Sequence, residues 1–299
     1  MRSTLGRSGD TDGSGGDPNR ADDVRRPGGS VPGTAPGEAS LAHTGTGEGQ
    51  PGSTDQLLLL GLTRRAALAD TVIMLMYLVV AGMACRAWYF AHAGGPNVDL
   101  FATWLLPWLM AGVVGLALVA LVTRHADLGG AALGLSGDAV AGQVVWGLGG
   151  AILACVGLLG WIALEWTVRS VLRSIGVGVP WSWEATYRFA EGLRGVSIGT
   201  IFVTMGAGAV VEEAVFRGVI LPRLRRVTGQ WWSAILLNVL LFGAQHFAGG
   251  FVAIVGTAIV STVFCVVFIR SRSLGAAVVA HFLYNLLQCV IGRWQSGGG

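Results

Sequence analysis

Beyond residue 70 the chain returns repeatedly to apolar blocks of about 20 residues, the length a helix needs to cross a hydrocarbon layer about 30 Å thick. In lipid every backbone N–H and C=O must find a partner inside the protein, so such blocks fold as helices. Hydropathy places them at 71–91, 100–122, 142–166, 197–220, 231–249, 252–270 and 274–294. The composition agrees: 53% of residues are hydrophobic and 12% charged, where a soluble domain is about a quarter charged. The expected fold is an all-α, polytopic transmembrane bundle of about seven spans, with six to eight as the range.

Residues 1–55 are different. They are rich in Gly, Ser, Thr, Asp and Pro without apolar periodicity, so they are expected to form a disordered tail. No apolar core follows Arg25 and Arg26 at signal-peptide distance, and no cleaved leader is expected. The division that follows is a tail at 1–55, an N-terminal transmembrane region at 56–196 and a polar-studded region at 197–294. The net charge of +3 is spread over span ends with no cationic stripe, which argues against nucleic acid as a partner and leaves membrane lipids. Cys85, Cys155, Cys265 and Cys289 lie apart in apolar stretches and read as packing residues.

Arginines mark orientation. Arg64 and Arg65, Arg124, Arg223 to Arg226, and Arg270 with Arg272 fall on one side if the spans alternate, which puts the N-terminus in the cytoplasm of a multi-pass cell-membrane protein. The segment 167–196 fits less simply: it carries Arg169, Arg173, Arg188 and Arg194 on the opposite side. Trp181, Trp183 and Tyr187 beside them suggest an interfacial helix or a re-entrant piece. Small residues at Gly195 and Gly199 and from Gly147 to Gly160 allow close helix contact.

The later spans carry the chemistry. Glu212, Glu213 and Arg217 lie inside an apolar helix, where each charge costs about 2.5–3.5 kcal/mol even on a lenient scale. Glu213 and Arg217, four apart in acid-before-base order, stack on one face as an ion pair. Glu212 is turned away by about 100 degrees and is the candidate general base. Phe242-Gly-Ala-Gln-His246 lies about as far beyond the turn at Thr228 and Gly229 as Glu212 lies before it, so an antiparallel hairpin brings Glu212 and His246 to similar depth. His281 and Asn285 share a face of the last span and can donate to a carbonyl oxygen as it becomes tetrahedral.

A single membrane histidine or asparagine is more often a packing contact than a catalytic group. Six such polar groups within three of the last four spans favour one functional cavity. His92, His125, Glu165, Asp70 and His43 are expected to be solvated or interfacial instead. Glu212, His246 and His281 also form the two-histidine, one-carboxylate set of a catalytic zinc site, although no His-Glu-x-x-His motif occurs. The reading without metal is preferred, because base and oxyanion stabiliser then occupy separate groups.

Glu212-Glu213-x-x-x-Arg217, Phe242-x-x-x-His246 and His281-x-x-x-Asn285 together resemble the motifs of the CAAX protease and bacteriocin-processing (CPBP, or Abi) family, over roughly 197–290. The resemblance implies an intramembrane endopeptidase, a hydrolase in which Glu212 and His246 activate water while His281 and Asn285 stabilise the oxyanion. Glu213, Arg217 and Phe242 support that site. It implies a peptide or protein substrate, lipidated or not, and leaves zinc or another divalent metal as the alternative to no cofactor. The competing reading is an inactive membrane scaffold or bacteriocin-immunity protein using the same cavity. A proton-coupled transporter ranks last, because the halves show no inverted repeat.

Overall fold

The computed structural model describes residues 62–92, 106–125, 140–179, 181–184, 187, 191–193 and 196–295, without the side chains of Phe90 and His125. The tail at 1–55 with His43, the start of the second expected span, and Arg188, Arg194 and Gly195 lie outside them. The described residues are helical and contain no strand. The helices are α1 (Arg64–His92), α2 (Leu106–His125), α3 (Val140–Ser174), α4 (Ile198–Glu213), α5 (Leu221–Thr228), α6 (Trp231–Gln245), α7 (Gly250–Ser271) and α8 (Leu274–Gln295). A π-helical stretch, Ala214–Ile220, joins α4 to α5 without a break, so Ile198–Thr228 is one 31-residue apolar rod.

Six of these units are long and apolar enough to cross a membrane, which makes this a multi-pass membrane protein. The other expected crossing, 231–249, is a shorter helix of 15 residues. It ends at Gln245, and a 3-10 turn over Phe247–Gly249 leads into α7. Gly249 and Gly250 explain the stop. A Cβ on Gly249 would meet that of Ala253 at 2.5 Å, and Gly250 has φ 74, a conformation open to glycine at little cost.

Helix directions follow from what touches what. Tyr77 of α1 donates to the carbonyl of Ala111 in α2 at 2.5 Å, and Arg223 Nε meets Asp70 Oδ2 at 2.7 Å. Arg226 Nε donates to the carbonyl of Leu62 at 2.8 Å. The start of α1 therefore lies beside the end of α5, together with the end of α2. α7 runs antiparallel to α6, with Gly243 facing Ile254 and Ala258. α8 runs parallel to α3, with Gly147 facing Val279 and Gly150 facing Ala280. The four arginine groups consequently gather at one end of the bundle and the C-terminal end of α8 lies at the other. Asp70, near a span end as expected, is thus an ion-pair partner at 13% side-chain exposure.

Glycine is used selectively. A Cβ on Gly150 would lie 2.7 Å from Val267 and 2.9 Å from Ala280, so this face of α3 needs hydrogen there to seat α7 and α8. Gly199 meets only its neighbouring Ser197 side chain and takes no part in a helix contact.

The core lies in the later helices. The apolar windows of α1, α2 and α3 are 17%, 28% and 22% buried, against 44% and 39% for the windows of α7 and α8. Every residue from Glu213 to Leu224 is buried, so the π-helical stretch is the axis around which the others pack. Pro222 follows it closely and has no N–H to offer the ladder. The Leu221 N–H reaches back five residues to the Phe216 carbonyl, the spacing of a π-helix.

Candidate active site

Glu213 and Arg217 are both fully buried. Arg217 Nη1 donates to Glu213 Oε1 at 3.0 Å. Nη2 donates to the carbonyl and hydroxyl oxygens of Ser261 at 3.0 and 2.8 Å. The guanidinium also lies over the rings of Phe242 and Phe264, at 4.8 and 5.5 Å. A buried ion pair persists only where its polar atoms find such partners, and losing one member costs about 3–5 kcal/mol. Sequence reasoning missed Ser261, whose contact with Arg217 spans 44 positions.

The same Glu213 oxygen takes a second contact, from His281 Nδ1 at 2.8 Å. Paired with Arg217, Glu213 acts as an acceptor, so Nδ1 carries the proton and Nε2 is the atom His281 offers elsewhere. Phe264 stacks on the imidazole at 4.8 Å and Phe242 meets it edge-on at 5.9 Å, fixing the ring plane. His281 Nε2 stands 3.8 Å from Glu212 Oε2, longer than a hydrogen bond. Glu212 Oε2 is itself buried with no hydrogen-bond partner.

His246 lies just past the end of α6. Its Nδ1 bonds to the carbonyl of Phe242 at 2.9 Å, one of the last carbonyls of a helix, which have no intrahelical donor. The ring is thereby set with Nε2 as its remaining acceptor. Asn238, one turn before Phe242, is fully buried. It donates from Nδ2 to the Phe216 carbonyl at 3.0 Å and accepts from Cys265 Sγ at 3.4 Å. It ties α6 to the π-helical stretch and so holds the depth of His246 relative to Glu212. It too was missed: a lone asparagine in an apolar run carries no spacing signal.

A cavity of about 70 Å³ is lined by Glu212, His246, His281 and Asn285, with Phe242 and Phe264 among its walls. The hairpin expectation of equal depth for Glu212 and His246 thus matches the geometry, and residues from all three motifs meet in one place. A space of this size admits water, each molecule of which occupies about 30 Å³ in the liquid. One contact falls differently from expectation: Glu212 has His281 as its ion-pair neighbour, and His281 is also committed to Glu213.

A zinc ion needs each donor at about 2.0–2.2 Å. Among the described residues no three His, Cys, Asp or Glu side chains come together as a set able to hold a metal ion. Glu212, His246 and His281 as arranged do not meet that requirement.

Away from the cavity, Glu165 departs from its expected interfacial exposure. Its side chain is 3% exposed and paired with Arg169, and it accepts from the indoles of Trp181 and Trp183 at 2.9 and 3.1 Å. α3 runs to Ser174, past the expected end at 166, which carries this carboxylate inside the helix. His92 is at the end of α1 as expected and stacks on Trp88. The four cysteines are free thiols.

Residues 194–287 match the family model of the type II CAAX prenyl endopeptidases, described as Rce1-like. The matched segment contains Glu212, Glu213, Arg217, Phe242, His246, His281 and Asn285, in agreement with the resemblance read from the motifs. No curated protein and no solved structure matches the chain.

Proposed function

From an Rce1-like domain at 194–287, we propose that this protein is an intramembrane endopeptidase of the CAAX prenyl protease type, hydrolysing a peptide bond with water activated by Glu212. The observation that carries the reading is the unpartnered Glu212 Oε2 in a polar cavity beside His246, His281 and Asn285. That oxygen faces space that admits water, the molecule a general base must reach.

Glu212 takes a proton from water while His246, through Nε2, orients the same molecule. The water oxygen bonds to the carbonyl carbon, and the carbonyl π pair moves onto oxygen. Asn285 donates its amide N–H to that oxyanion. His281 donates there only with a second proton on Nε2, and Glu212, 3.8 Å away, is placed to pass one on. Collapse breaks the C–N bond, and the same proton leaves on the new amine. Glu213 and Arg217 hold the His281 tautomer throughout.

The cavity is too small for a peptide segment, so the scissile bond enters by displacing water and a wall side chain. The substrate class follows the family: a peptide or protein in the membrane, prenylated or otherwise lipidated. The excess of basic residues at the arginine-rich end of the bundle supports a cytoplasmic face there.

The test compares membrane-protein termini by mass spectrometry in native-host cells carrying the wild type or Glu212→Gln at matched abundance. New termini lost in the variant are expected. Identical profiles would overturn the protease and favour a scaffold or immunity protein acting through the same cavity.

A further inference from the structure

The first turn of α7 follows His246 closely, and the side chains that grip it come from outside the matched segment. α3 presents Trp161 and Glu165, four apart, on one face. Trp161 Nε1 donates to the carbonyl of Val252 at 3.3 Å, and its ring meets Phe251 at 6.4 Å. Glu165 Oε1 accepts from Trp181 Nε1 at 2.9 Å and from Arg169 Nε at 2.8 Å. The Trp181 ring then lies 5.5 Å from Phe251.

Phe251, 51% exposed, therefore touches two tryptophans, one belonging to α3 and one fastened to α3 by Glu165. What lies between Phe251 and His246 is a tight turn. The His246 N–H donates to Gly243 and the Gly249 N–H donates to His246, both at 2.9 Å. Gly249 and Gly250 close it with little stiffness of their own. The backbone of His246 is thus anchored by α6 on one side and by the first turn of α7 on the other.

We propose that Glu165 is a positioning residue for His246, acting through Trp181 and Phe251. The proposal rests on the reading of His246 as a catalytic residue. An indole N–H can only donate, so the link needs an acceptor at this position. A buried carboxylate supplies one oxygen to Trp181 and Arg169 and the other to Trp183.

The test uses the full chain in lipid nanodiscs with Trp181→Phe, Glu165→Met and Phe251→Ala. Trp181→Phe keeps an aromatic ring beside Phe251 and removes the N–H with part of the indole's area. Hydrogen exchange read by mass spectrometry is expected to speed up several-fold at 246–252 in all three variants while 213–224 stays as in the wild type. Unchanged exchange at 246–252, or a uniform rise across the chain, would overturn the proposal. On a prenylated CAAX peptide, kcat is expected to fall roughly tenfold at constant KM, since small misplacements of a catalytic group are costly. The double variant Trp181→Phe with Phe251→Ala should be no worse than the weaker single one. A change in KM alone, or additive losses, would count against Glu165 acting through that link. The exchange measurement needs no substrate, so a wild type that cleaves nothing would sink the protease reading and leave exchange to decide the brace.

Discussion

Two buried carboxylates in this bundle begin alike and end differently. Glu165 and Glu213 are each paired with an arginine four residues on, and both side chains are nearly or wholly excluded from solvent. Around Glu165 the remaining partners are indoles, which donate a proton in a hydrogen bond and never release it. Around Glu213 the remaining partner is an imidazole, whose far nitrogen faces a second, unsatisfied glutamate. The pair is local and cheap to encode at either place. What sets the Glu213 site apart is a group beside it that can both take and give a proton.

The largest effect expected from that contrast is at the residue Glu165 has no counterpart for. Glu212→Gln should lower the cleavage rate of the purified protein by about a thousandfold, with the variant unfolding no earlier than the wild type. A residual rate within tenfold of normal would remove Glu212 from the role of base. Next is Asn285→Ala, for which kcat should drop about a hundredfold with KM little altered, as for other single oxyanion donors. If KM carries the loss instead, Asn285 binds substrate and does not stabilise the oxyanion.

Stability separates the two ion pairs. Arg217→Met should cost about 3–5 kcal/mol, since it strands a fully buried carboxylate. Arg169→Met should cost about 2 kcal/mol, because two indole donors remain on Glu165. Denaturant titration of both variants in the same detergent checks the order, and equal losses would erase the distinction. The smallest effect is expected from a divalent-metal chelator, which should leave the rate of the wild type unchanged. Loss of activity restored by zinc would bring Glu212, His246 and His281 back as ligands.

Much of this was legible in the chain, for reasons specific to each part. Helices and their approximate limits follow from apolar blocks, because lipid leaves the backbone no alternative. The Glu213 and Arg217 pair follows from helical spacing, and the shared depth of Glu212 and His246 from counting away from one turn. The π-helical stretch at Ala214–Ile220 was hidden, since a uniformly apolar run shows no break in period when the ladder widens. The early end of α6 was hidden as well, because Gly249 and Gly250 are common enough inside membrane helices to pass unnoticed. Glu165 was misjudged because its indole partners lie in a segment whose tryptophans also suit an interface. The arginine partner of Asp70 was hidden because it is 153 positions away.

The shortness of α6 reaches beyond the site it positions. Its 15 residues make a rod of about 22 Å, against a hydrocarbon layer of about 30 Å. Its neighbours span the full thickness, so at this one place the protein offers the surrounding lipid a shallower wall. Acyl chains next to α6 must shorten or tilt to meet it, at a cost that grows with bilayer thickness. The acyl-chain length that best matches α6 is therefore shorter than the one that matches its neighbours.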